Sequence, residues 1–370
     1  MKTLKSFKIN KMIIFGAIAT LAFILILNRS NVAIEYMKKG LNLCSKTVIP
    51  SLFPFMVISD LIVSSGVGIG ACKPFARPMK AVFGVSEAGG CAFILGAVCG
   101  FPIGARTAVS MYDGGLIDKD ELTHILTFCN NPGSAFIISA VGVSLFGNRK
   151  IGNLLYLCVI LSAVTVGILG RLFFKTKRKK ATVTLCSPHQ NSGIELFTSA
   201  IQNSAVSMLT VCAYVAFFSS LIGCLGAILR DLGVSEVVCA AIFGFFELSS
   251  GVGMAAEAVS STKAVIMCAA IAGWSGLSVH FQIMTICSGR GISFKPYFFA
   301  KVSQGILCAL FMGICLRFYS PFVDLNSEIF ATVQTVSLCD STLICLIFFA
   351  ASAFPVVLEM IKAKNFQKKR

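Results

Sequence analysis

The run from Gly89 to Met111 is long and apolar enough to enter a bilayer, yet GFPIGARTA, Gly100 to Ala108, interrupts it. Gly100, Pro102 and Gly104 break a helix there, and Arg106 follows within two turns. A break and a charge inside an apolar segment are costly in lipid unless they face protein or a cavity. About 150 residues later a comparable segment breaks again as SSGVGMAAEA, Ser249 to Ala258. Gly100 then aligns with Gly251, Ala105 with Ala256 and Arg106 with Glu257, and Gly253 is a further helix breaker. Paired interrupted helices in the two halves of a membrane protein point to a substrate site. The plainer alternative is a glycine-packed helix pair holding a buried ion pair.

Composition agrees with a membrane chain. Of 370 residues, 56% are hydrophobic and 13% charged, and many apolar runs approach the roughly 20 residues that span a bilayer. The fold class is therefore an all-α polytopic membrane protein. The net charge of +16 does not indicate nucleic acid. It sits in an N-terminal tail (Lys2 to Lys11), a central cluster (Arg171 to Lys180) and a C-terminal tail (Lys362 to Arg370), none of which contains an acid. Basic clusters flanking spans and held in the cytoplasm are the positive-inside pattern, and they also suit anionic lipid. The sixteen cysteines are scattered through apolar segments with no CxxC pair, so they read as small buried hydrophobes. With three histidines and no clustered ligands, the sequence calls for neither a metal nor any other cofactor.

In chain order, residues 1–30 read as an uncleaved anchor helix, because Leu27-Asn28-Arg29 offers no cleavage site. Residues 31–175 form a first repeat, 176–193 a basic cytoplasmic linker, 194–320 a second repeat, and 321–370 a C-terminal helix and basic tail. Asn31 to Lys46 and Ile194 to Ser207 are polar enough to be interfacial. Pro50 and Pro54 kink or break the span at Val48 to Val63. A second break in the first half falls at FCNNPG, where Asn130, Asn131, Pro132 and Gly133 are strong turn formers. Its counterpart is AGWSGLSVHFQ, Ala272 to Gln282. Leu41 to Ile62 lies weakly over Ile201 to Ile222.

Parity strengthens the repeat. Five apolar segments separate the first two basic clusters, and five the last two. Five crossings cannot return a chain to the same side. One re-entrant hairpin per half resolves this, giving about eight spans, two re-entrant hairpins and repeats of inverted topology. Which broken segment of each half is re-entrant stays open, and Lys38 and Lys39 lie outside against the charge rule.

GFPIGARTA, FCNNPG and GWSGLSVHFQ together resemble the YlbJ/SpoVV-type sporulation integral membrane proteins, within the nucleoside-recognition or Gate-domain group, over about Leu41 to Tyr319. The resemblance implies a spore-forming Gram-positive source and a place in the cell membrane or the outer membrane of the forespore. It implies dipicolinic acid moved towards the forespore, on a fold like that of concentrative nucleoside transporters. The residues suit that chemistry. Dipicolinate is a planar aromatic dianion, and half-helix N-termini supply N–H groups and partial positive charge. Arg106 offers a bidentate carboxylate contact, and Asn130, Asn131, Ser134 and Ser275 offer hydrogen bonds. Gly133 and Gly276 lie at tips with no room for a side chain. Trp274 either stacks on a pyridine ring or packs between helices. His280 is a ligand, a coupling group or a packing histidine. Glu247 and Glu257 couple a proton or cation, or pair with Arg106 or Arg317.

The first expectation is thus a secondary carrier of a small organic anion, with the lipid bilayer and that anion as partners and homo-oligomerisation left open. The absence of a P-loop argues against an ATP-driven pump, and no HExxH, paired aspartates or Ser/His arrangement supports an enzyme. A non-transporting sporulation scaffold or regulator, or a nucleoside or ion carrier on the same fold, is the alternative.

Overall fold

The computed structural model describes residues 2–65, 76–174, 193–258 and 261–319. Most of the central basic cluster, the linker and the whole C-terminal span and tail lie outside the described residues. Every regular element among the described residues is helical. Among the described residues five helices are long and apolar enough to cross a bilayer: Ser30–Ile62, Arg149–Gly170, Gly193–Asp231, Thr262–Ile286 and Lys295–Phe318.

Helix α1 (Lys2–Asn28) leaves Ile13, Phe15, Ile18, Leu21 and Phe23 exposed. An apolar helix that buries so little has lipid as its solvent. Helix α2 (Ser30–Leu43) is not a separate interfacial piece. It continues through π-wound turns at Cys44–Val48 into α3 (Ile49–Ser64). Pro50 has no N–H to return to the preceding turn, and the helix widens there without breaking. Ile194 to Ser207 likewise belongs to one long helix, α10 (Gly193–Asp231).

These two long rods lie side by side and antiparallel. Arg29 pairs with Asp231 at 2.5 Å. Gly223 lies against the Tyr36 ring and Gly40 against Ser219, each too close for a Cβ to fit. Farther along, Asn203 reaches Asp60 at 3.4 Å. One residue number falls as the other rises, so the two stretches aligned as repeats run in opposite directions.

The remaining helices follow one order in both halves. After the short α4 (Ala76–Phe83), the first half has α5 (Glu87–Cys99), a break, and α6 (Ile103–Asp113). It then has α7 (Lys119–Phe128), a break, the π-wound α8 (Phe136–Leu145), and the unbroken α9 (Arg149–Gly170). The second half has α11 (Glu236–Phe246), a break at Glu247, and α12 (Leu248–Ala258). It continues with α13 (Ser261–Trp274), a break, α14 (Leu277–Ile286) and the unbroken α15 (Lys295–Tyr319). Starts are capped as their sequences dictate: Ser86 accepts from Gly89 N, Asp118 from Glu121 N, and Asn148 from Lys150 N.

In each half the two breaks cross. Gly100 has φ +85°, and a Cβ on it would lie 2.5 Å from Gly133 N. Phe101 N donates to Asn131 O at 2.8 Å. Gly96 and Gly104, on either side of Gly100, face the Cys129 carbonyl so closely that Cβ atoms there would lie 1.9 and 2.3 Å from it. In the second half Gly276, with φ +82°, packs its Cα against Phe246, Glu247 and Leu248. Three expected breakers prove to be helical. Gly104 lies in the first turn of α6, and Gly251 and Gly253 lie inside α12. Gly251 is there because α11 and α12 touch: its Cβ would lie 2.1 Å from Gly244 Cα. The interruption falls instead at Glu247, whose backbone is extended (φ −144°, ψ 126°).

Candidate functional site

The expected site residues separate into three places. Arg106 lines a cavity of about 420 Å³ walled by α3, α6, α10 and the end of α14. The cavity is polar, with Asp60, Thr107, Ser110, Asp113, Ser207 and Arg290 around it. Arg106 donates through Nη1 to Ser207 Oγ and, at 3.3 Å, to Asn203 O. Both partners are neutral, and both bonds use one nitrogen. Nε and Nη2 keep their donors. Arg290 grips Asp113 through two bonds of 2.8 and 2.5 Å, which tie the loop after α14 to the end of α6.

The carboxylates expected to pair with Arg106 are elsewhere. Glu247 is buried and caps α12: its Oε1 accepts from Ser249 N at 2.9 Å and its Oε2 from Ser250 N at 2.7 Å. Four N–H groups at a helix start lack intrahelical partners, and a carboxylate satisfies them with favourable charge. Glu257 is exposed on the last turn of α12. Where the breaks of the two halves approach, Phe101, Gly133, Glu247, Leu248, Ser278 and Gln282 surround about 40 Å³. That is far below the roughly 300 Å³ at which small-molecule sites begin.

The third place lies around the break after α7. Asn130 and Asn131 are fully buried. Their Nδ2 groups turn back to Leu126 O and Phe128 O, at 3.3 and 2.8 Å, covering carbonyls that the end of α7 leaves open. Asn130 O accepts from Lys301 Nζ. Lys301 also donates to Gln304 Oε1 at 2.9 Å, and Gln304 Nε2 donates to Asn131 Oδ1 at 2.7 Å. Ser134 donates to Val98 O at 3.2 Å, stitching the second break to α5. Pro132 sits in the non-helical stretch between them.

Trp274 has a structural place in this conformation. Its Nε1 donates to Phe245 O at 2.9 Å, its ring stacks on Phe245, and it borders an outer apolar groove with Val302, Ile306 and Leu310. His280 is fully buried, edge-on to Trp274, with Nδ1 bonded to Tyr297 Oη at 2.8 Å. Ser275, at φ 76°, returns its hydroxyl to Ala272 O at 3.2 Å. Arg106 is therefore not brought together with Asn130, Asn131, Trp274, Ser275 or His280.

The chain is 27% identical over 347 residues to the sporulation integral membrane protein YlbJ of Bacillus subtilis (strain 168), with 84% of each chain covered. The chain is similar to that protein over most of its length. It is an integral membrane protein of a spore-forming bacterium, as its apolar helices also require. No family model matches the chain, and no solved structure matches it. The residues that sequence reasoning missed are Lys301, Gln304, Arg290, Asp113 and Ser207. Lys301 had a signal. Lys301, Gln304, Cys308 and Met312 share one buried stripe of α15, opposite the exposed Val302, Ile306 and Leu310.

Proposed function

We propose that this chain is a secondary carrier of a small organic anion, and that the anion is dipicolinate moved towards the forespore. The observation that carries the reading is Arg106, a half-buried guanidinium bonded to neutral groups, facing a cavity of about 420 Å³. A cavity of that size lies within the range of about 300–1,000 Å³ typical of small-molecule sites. A planar fork with unused donors suits a carboxylate better than a neutral solute. The scaffold supports the same reading. Two crossed pairs of broken helices, and long rods running antiparallel, are what inverted repeats built around a membrane site provide. On this reading residues 31–175 and 194–320 are the repeats, and the tight space between their breaks is the closed gate. The gate shuts off the Arg106 cavity on one side, and the substrate passes through it when the break crossings part. The YlbJ-type likeness supports a role in sporulation, which is where a dipicolinate carrier would act.

The test is uptake into vesicles holding the purified full-length protein, with labelled dipicolinate against labelled uridine. Dipicolinate uptake that Arg106→Lys abolishes supports the reading. Uridine uptake alone makes the protein a nucleoside carrier. Uptake of neither, by folded protein, favours a sporulation scaffold.

A further inference from the structure

Lys301 is fully buried six residues into a membrane-spanning helix. Its ammonium touches no carboxylate among the described residues. Its two bonds go to Asn130 O and Gln304 Oε1. Among the described residues the titratable groups that act on it are Cys129, Cys308 and His280, the last bonded to Tyr297, all uncharged in their ordinary forms. A cation isolated in this way would be expelled from most membrane interiors. Here it is held by position. Asn130 follows the C-terminus of the half-helix α7, where unpaired carbonyls carry the negative end of the helix dipole. Carbonyls at the C-terminal ends of broken helices are where carriers hold a coupling sodium ion or proton.

The hydrogen-bond count adds a second point. Lys301 has two acceptors in this site. An ammonium has three N–H donors and an amine two. Losing one proton therefore costs neither bond and changes only the charge. Gln304 ties the same amine to Asn131, and Asn131 O accepts from Phe101 N across the crossing with the first break. A charge change at Lys301 thus acts directly on the joint between the two breaks.

We propose that Lys301 fills, with a tethered ammonium, the position a coupling sodium ion would otherwise take, and that the proton it gains and loses is the coupling ion. The ammonium gives its proton to water when the crossing opens to one face, and the amine takes one from water at the other. This rests on the carrier reading above, and adds that accumulation follows a pH gradient and is indifferent to sodium.

The test uses full-length protein in vesicles with labelled dipicolinate, comparing wild type with Lys301→Gln and Lys301→Arg. Wild type should accumulate dipicolinate under a pH gradient equally with sodium or N-methylglucamine outside. Both variants should still exchange dipicolinate across the membrane at zero gradient while accumulation falls at least tenfold. Gradient-driven accumulation by Lys301→Gln at the wild-type level, or a wild type driven by sodium, overturns the proposal. If wild type exchanges no dipicolinate, the carrier reading fails by itself, and Lys301 is then judged by thermal unfolding. Wild type should change its melting temperature between pH 6 and pH 9 more than Lys301→Gln does. Equal pH responses overturn the assignment of a titrating Lys301.

Discussion

The crossing of the first pair of breaks gives a prediction whose sign separates two effects. Gly96 is in the last turn of α5, where local propensity alone favours alanine over glycine by about 1 kcal/mol. A Cβ at Gly96, however, would lie 1.9 Å from the Cys129 carbonyl oxygen and 3.0 Å from Gly104 Cα. Ordinary contact starts at 3.4 Å, so the partner would have to retreat by more than 1 Å. That partner is backbone, so no side chain can rotate aside. It is also anchored, because Phe101 N bonds Asn131 O and Lys301 bonds Asn130 O. Overpacking of this kind costs about 1–3 kcal/mol, and more where backbone must move. The net expectation for Gly96→Ala is a loss of up to about 2 kcal/mol, and more where the backbone moves, against the direction of propensity. Gly253 is the control: it lies inside α12 and a Cβ added there would meet nothing within 4 Å, so Gly253→Ala should stabilise by about 0.5–1 kcal/mol. Thermal unfolding of the full-length protein in one detergent, read by size-exclusion fluorescence, ranks the two variants against wild type. Gly96→Ala melting at or above wild type would refute the close crossing.

Three further outcomes follow from particular contacts. Arg106→Lys keeps a charge that Ser207 and Asn203 can receive, so it should accumulate normally in the membrane while dipicolinate in the forespore falls at least tenfold; rescue of a lost protein by a change at Glu257 would restore the ion-pair alternative. Lys177 and Arg370, both outside the described residues, should label from the same cytoplasmic face with an impermeant reagent in a cysteine-free background, and opposite faces would end the inverted-repeat reading. Trp274→Phe removes the bond to Phe245 O and should cost about 1 kcal/mol of stability with dipicolinate transport within twofold of wild type, whereas a loss of binding would return the ring to the site.

Much of the scaffold is legible in the sequence because membrane helices announce themselves by length and by what interrupts them. GFPIG and NNPG break where expected, since glycine, proline and paired asparagines act together there against helical bonds, whereas Pro50 and Pro54 leave α3 continuous. The misreadings have separate causes. Glycine is both a breaker and a spacer, and sequence does not say which. At Gly251 and Gly104 the close approach of a neighbouring backbone, not a change of direction, demands the missing side chain. Glu247 reads in the sequence as an acid awaiting a basic partner, while its partners are the backbone N–H groups of α12, which every helix start has and no sequence displays. Counting residues puts Lys301 near a helix end, and only the stripe it shares with Gln304 reveals that it points inward.

Glu247 and Lys301 are then the same device with opposite sign. One places an anion at the start of a half-helix and the other a cation at the end of one, each matching the dipole that a break exposes. This bears on Glu247→Gln. The carboxylate gives one acceptor to Ser249 N and another to Ser250 N. An amide has one oxygen, so one of those N–H groups would face an NH₂ instead. Leaving a buried donor unpaired costs about 1–3 kcal/mol, and losing the charge at the helix start adds about 0.3–1 kcal/mol. Removing a buried charge works the other way, because its desolvation is relieved. The loss should still prevail, since two backbone bonds tie the carboxylate down and the amide can keep only one. Glu247→Gln should therefore melt below wild type, and Glu257→Gln, at an exposed position on the same helix, should not. If Glu247 served chiefly as a coupling acid, its amide would instead fold and melt normally and alter only the pH response of transport. Unchanged melting with a changed pH response would move the coupling role from Lys301 to Glu247.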